Sequence, residues 1–131
     1  MPFPLEISCV RKAEARLGQQ LPAAYVASMV SENGGGVHAD GDSWFLHPIL
    51  DDGDKTRFKR TCNDIVHETK EARDWEGFPE AAVSIAHDGG GNHLILMPEA
   101  SNSGRLGEAV FRWDHETGEV VPVAASFGEL R

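Results

Sequence analysis

Apolar residues in the first third of the chain recur at helical spacing. A helix is predicted from about Glu6 to Leu17, ended by Gly18, a residue suited to the left-handed conformation beyond a helix C-terminus. Pro22 opens a second helix, since its fixed φ and missing N–H do no harm in a first turn, and Tyr25, Val26, Met29 and Val30 form its apolar face. Asn33-Gly34-Gly35-Gly36 stops it. Ser43 to Leu50, with Trp44, Phe45 and Leu46 ahead of Pro48, reads as a strand that runs into the acidic loop Asp51-Asp52-Gly53-Asp54. A third helix is predicted from about Thr56 to Arg73, where Phe58, Cys62, Ile65, Val66 and Thr69 make one stripe and Asp54 or Thr56 supplies the cap.

After Phe78-Pro79 the period becomes strand-like. Ala82 to His87 and His93 to Met97 flank Asp88-Gly89-Gly90-Gly91-Asn92, which predicts a hairpin, and Glu108 to Trp113 and Glu119 to Val123 form a second pair around Asp114 to Gly118. Ser126-Phe127-Gly128-Glu129 has the spacing of a capping box, so a short helix is expected at the end. Helices, then an antiparallel meander, then a helix is an α+β order, which disfavours Rossmann-type and P-loop folds. The length of 131 residues fits one domain, 1–131, with one core.

Composition adds little to the fold and more to the partner. With 40% hydrophobic and 25% charged residues the chain is of ordinary globular type and needs no disulfide or metal for stability. A net charge of −9 argues against nucleic acid or an anionic membrane as the main partner and suits a basic protein. The charge is uneven: residues 31–54 carry six acidic and no basic groups, and residues 74–131 carry ten acidic and three basic groups. The first residues lack a basic region followed by an apolar run, and the apolar stretches fall far short of the ~20 residues of a membrane span, so a cytoplasmic chain is expected. Cys9 and Cys62 lie outside any Cys-x-x-Cys pattern, and Cys62 is read as a small buried hydrophobe.

Candidate chemistry is sparse. The glycines of Asp88 to Asn92 invite a phosphate-loop reading, but a strand follows them where such a loop needs a helix, so a plain turn is expected. The histidines His38, His47, His67, His87, His93 and His115 show no helical metal-ligand spacing, and no catalytic set or cofactor motif is present. Trp44, Trp75 and Trp113 could stack a ligand, but Phe111 and Trp113 share a strand face that is read as core. The run Asp40, Asp42, Asp51, Asp52, Asp54 is either a solvated loop or a docking surface for a basic partner, with Glu116 and Glu119 as a second acidic region. It lacks the spacing of an EF-hand.

Several punctuating residues together resemble the SUKH superfamily, which includes the fungal cell-wall-assembly regulators linked to killer-toxin resistance. They are Glu14-x-x-Leu17-Gly18-x-x-Leu21-Pro22-x-x-Tyr25, Asn33-Gly34-Gly35, Ile85-Ala86-x-Asp88-Gly89-Gly90-Gly91-Asn92, and Val110-x-x-Trp113-Asp114-His115-Glu116-Thr117-Gly118-Glu119 ahead of Ser126-Phe127. The ordered set spans nearly the whole chain, and residues 40–75 carry no signature. The resemblance implies a central, mainly antiparallel sheet packed by helices and no catalytic residues. It implies an immunity protein that binds and neutralises a cognate toxin, often a nuclease, or alternatively a regulatory or scaffold binding module of the fungal type.

Overall fold

The computed structural model describes residues 3–130. Helix α1 (Ile7–Leu17) turns Cys9, Val10 and Ala13 inward and ends at Gly18, whose φ of 71° is the left-handed geometry that glycine takes without strain. Helix α2 (Ala23–Ser31) begins directly after Pro22 and buries Tyr25 and Met29. Its first N–H groups, those of Ala23 and Ala24, donate to the Glu108 carboxylate at 3.1 and 3.4 Å, so a side chain distant in sequence caps the helix.

Six strands follow one another across a single antiparallel sheet in chain order. They are β1 (Gly35–Ala39), β2 (Asp42–Leu46), β3 (Val83–His87), β4 (His93–Pro98), β5 (Leu106–Trp113) and β6 (Val120–Ala124). The β3/β4 and β5/β6 hairpins fall where the alternation predicted them. Strand β1 was not expected, because Gly35 and Gly36 were read only as a helix stop. The glycines do turn the chain out of α2, with φ of 115° at Gly34 and 89° at Gly35, but pairing with β2 then overrides their poor strand propensity. Asp40 and Gly41 connect the two strands with φ of 52° and 79°, the two positive values of a type I′ hairpin turn. Strand β2 ends at Leu46, ahead of Pro48, rather than at Leu50.

The long third helix is in fact two. Helix α3 (Lys55–Thr61) is capped by Asp54, which accepts from the Arg57 N–H at 2.8 Å, and α4 (Ile65–Ala72) is capped by Asp64, which accepts from the His67 N–H at 3.0 Å. An aspartate that satisfies free N–H groups in the middle of a helical pattern starts a new helix there. The expected stripe is therefore divided. Ile65 and Thr69 are buried on α4, whereas Phe58 is 48% exposed and Cys62 is an exposed thiol, not a core residue. At the end, Ser126 Oγ accepts from the Gly128 N–H at 3.2 Å and opens a single 3-10 turn, Phe127–Glu129.

Buried residues form two clusters, where one core was expected, because alternate side chains leave opposite faces of the sheet. The larger joins Trp44, Leu46, Leu94, Leu96 and Val110 to Val10, Tyr25 and Met29 of the first two helices. The smaller lies on the other face and contains Ile95 and Trp113 with Phe78, Ala82 and Ala72. Trp113 is fully buried, as its strand position predicted. Cover on this second face is incomplete, and that opening positions the surface described next.

Candidate partner-binding surface

An antiparallel meander places its β1–β2, β3–β4 and β5–β6 turns at one end of the sheet. Asp40 and Asp42 therefore share an end with Asp88, Asp114, Glu116 and Glu119. Arg112 lies among them, its Nη1 2.9 Å from Asp40 Oδ2. The Asp40 hydrogen bond, helped by the charges of Asp40, Asp42 and Asp114, raises the guanidinium pKa against a smaller opposing effect of burial.

The other half of the acidic run lies beyond the opposite end of β2. Asp51 is only 4% exposed, accepts from the Gly53 N–H at 3.0 Å and stands 3.6 Å from Arg57. Asp52 pairs with Lys12 at 3.3 Å, and Asp54 is the α3 cap. The sequence suggested a segment without basic neighbours; tertiary structure supplies Lys12, Arg57 and Arg112 from other elements. Asp51 is thereby withdrawn as a contact residue, and the single acidic run becomes two separate groups.

The glycine turn is closed on itself. The Gly90 and Asn92 N–H groups donate to Asp88 Oδ1 at 2.7 and 3.2 Å, the Asn92 amide donates to Oδ2 at 2.9 Å, and the Gly89 N–H donates to His87 Nδ1 at 3.1 Å. Partial burial pushes the Asp88 pKa up, but these hydrogen bonds outweigh it and the net shift is downward. The anion in this concavity is the chain's own carboxylate. Asn92 Oδ1 in turn accepts from the His115 N–H at 3.1 Å and lies 2.9 Å from His115 Nδ1, which ties this turn to the β5–β6 turn. A third segment joins them: Trp113 Nε1 donates to the Gly77 carbonyl at 3.0 Å, and Gly77 packs on Gly118 closely enough that a Cβ on Gly77 would sit 3.4 Å from the Gly118 Cα.

Register then assembles a band of rings on the open face. Phe45 pairs with His87, His87 with His93, and His93 with Trp113, so the four side chains form one row across β2 to β5. His87 lies 5.4 Å from Phe45 and stacks on His47 at 5.4 Å, and His93 touches Phe78 and Trp113 at 6.0 and 5.7 Å. Beside this row Trp75 packs edge-on against His115 at 6.1 Å, and His115 is tied to the β3–β4 turn through Asn92. The row is buried at its centre, whereas Phe45 at one end is 57% exposed and Trp75 of the adjoining pair 54%.

Ser84 sits beneath this band with its Oγ 2.9 Å from His47 Nε2 and 2.6 Å from His93 Nδ1. A hydroxyl has one proton, so it can donate to only one of the two imidazoles and accepts an N–H from the other. Burial is the main reason both rings stay uncharged, with the nearby histidines adding to it; the His47 pKa falls to about 3 and that of His93 to about 4. A serine between two imidazoles has the components of a nucleophile and base, yet Ser84 is fully buried and no substrate can reach its Oγ. Among the described residues, no three His, Cys, Asp or Glu side chains are grouped to hold a metal ion, and no helix is long and apolar enough to cross a membrane.

Sequence reasoning singled out the carboxylates, named Trp75 only as one of three tryptophans that could stack a ligand, and missed Phe45 and the histidine row. The available signal was the pairing of His87 and His93 across one turn, which fixes the register of neighbouring strands.

Fold and surface define an α+β domain with an antiparallel meander, α1 and α2 packed on one face and a partly open, ring-lined patch on the other. The chain belongs to the SMI1 / KNR4 family (SUKH-1), which it matches over residues 5–130. A comparison with curated proteins gives no match.

Proposed function

We propose that this domain is an immunity protein, a non-enzymatic module that binds a basic protein toxin and blocks it by covering its working surface. The observation that carries the reading is the gathering of Asp40, Asp42, Asp88, Asp114, Glu116 and Glu119 at one end of the sheet. Membership of the SUKH-1 family supports a protein-binding role. A nuclease needs a basic groove for its substrate, and an acidic patch is drawn to such a groove by electrostatic steering. Asp52 and Asp54, already occupied by Lys12 and by the α3 N-terminus, contribute less. The regulatory alternative uses the same surface with a partner that is not a toxin.

The test is capture of the partner from the native cell, followed by association rates at low and high salt. Asp42→Asn, Glu116→Gln and Glu119→Gln together remove three exposed charges that make no side-chain hydrogen bonds in the fold described above. Association should slow and lose salt dependence, while Asp52→Asn at the other end should have a smaller effect. Equal rates and equal salt slopes for parent and triple variant refute the acidic-end reading. A captured partner without toxic activity favours regulation.

A further inference from the structure

Two of the large apolar side chains left exposed are Phe45, at one end of the ring row, and Trp75, in the Trp75–His115 pair beside it. Side chains in such positions are costly to leave in water and are the type that anchors interfaces. The band is also depleted in cations. Residues 31–54 and 74–104, which supply Phe45, His47, Trp75, Phe78, His87 and His93, contain no Lys or Arg. Arg73, just ahead of the second segment, is turned to the Ala82 carbonyl at 3.2 Å.

Carboxylates flank the rings on the chain: Asp42 precedes Phe45, Asp74 and Glu76 bracket Trp75, Asp88 follows His87, and Asp114 and Glu116 bracket His115. An aromatic surface with acidic margins complements one kind of side chain above others. Guanidinium stacks flat on rings while its N–H fork engages a carboxylate, whereas an ammonium is a compact, strongly hydrated point charge. Burial keeps the His47 and His93 rings uncharged at neutral pH, so these two do not repel an incoming cation.

We propose that the band of Phe45, His87 and the adjoining Trp75 is the centre of the partner interface and receives arginine side chains of the partner. This rests on the preceding reading that the partner is a basic protein, and it names the residues and side-chain type that reading leaves open.

The probe is a hexa-arginine peptide, with hexa-lysine as comparison, titrated into the full 15N-labelled chain while the three tryptophan indole signals are followed. The indoles of Trp44 and Trp113 are bonded to the Ala39 and Gly77 carbonyls, so Trp75 is the reporter. Hexa-arginine should shift the Trp75 signal and bind roughly fivefold or more tighter than hexa-lysine. Phe45→Ala should weaken hexa-arginine roughly tenfold on the same reporter, with the amide spectrum otherwise unchanged because Phe45 lies on the surface.

An unmoved Trp75 signal, or equal affinity for parent and Phe45→Ala, overturns the assignment. So does a concentration-dependent dimer of the chain that Phe45→Ala abolishes, since the band would then be a self-contact. If the captured partner binds Phe45→Ala/Trp75→Ala as tightly as the parent but loses affinity for Asp42→Asn/Glu116→Gln/Glu119→Gln, the band assignment fails and the acidic-end reading stands. If neither set of changes matters, both fail.

Discussion

Acid should unfold this protein through two histidines. His47 and His93 are held uncharged around Ser84, with pKa values pushed down to about 3 and about 4, while an unfolded chain returns both to about 6.5. Between those values the unfolded state binds more protons than the folded one, so stability is complete above about pH 6.5 and is lost as pH falls towards the folded pKa values. At 1.36 kcal/mol per proton and pH unit, moving from pH 7 to pH 5 costs about 2 kcal/mol for each ring, or about 3–4 kcal/mol for the pair. That is a large part of the ~5–15 kcal/mol by which domains are stable. His87, Asp88 and His115 lie close enough to act electrostatically on His93, so the parent curve alone does not isolate the pair. The comparison is with His47→Gln/His93→Asn, whose amides can offer Ser84 a donor nitrogen on one side and an acceptor oxygen on the other and do not titrate. Urea unfolding at pH 7, 6 and 5 should show a shallower loss of stability for the double variant, by about the amount given above. Parallel curves for the two proteins would refute the argument that these rings are buried uncharged.

Two further outcomes follow from local geometry. The hydroxyl of Tyr25 is fully buried without a hydrogen-bond partner among the described residues, so Tyr25→Phe should leave stability unchanged or raise it by up to ~1 kcal/mol, and a loss of that size on urea unfolding would reveal a partner for the hydroxyl. Gly91 has φ 103° and a Cβ there would fall 2.9 Å from the His115 ring, so Gly91→Ala should cost about 2 kcal/mol or more, whereas Gly89→Ala, with φ 84° and open space around it, should cost about 1. Thermal melts of the two variants decide it; equal losses would mean that His115 moves aside freely.

What could be read from the sequence was whatever local pattern decides. Tyr25 and Met29 on α2, the turn at Asp88 to Asn92 and the burial of Trp113 followed from periodicity and glycine placement. Strand β1 could not be read that way, because Gly35 and Gly36 acquire strand geometry only from pairing with β2. The break at Asp64 was hidden because Ile65 and Thr69 continue the helical period across it. The carboxylates were visible as residues but not as a surface. Adjacency in sequence grouped Asp42 with Asp51, while the meander groups Asp42 with Glu116. Phe45 belongs to the ring band by register alone, a property no single segment contains.

The β2–β3 junction has a kinetic consequence. Every other strand neighbour is reached through a short connection, but β2 and β3 are separated by the 36 residues 47–82 and pair through only Phe45 with His87 and Leu46 with Ala86. Loop closure of that length costs more than closing a hairpin, so the β1–β2 and β3–β6 portions can each form locally and dock along this seam last. The same seam is the least costly place for the folded sheet to part. Phe45 and His87 face each other across it, so a protein seated on both would hold the two portions together and slow amide exchange in strands that it never touches.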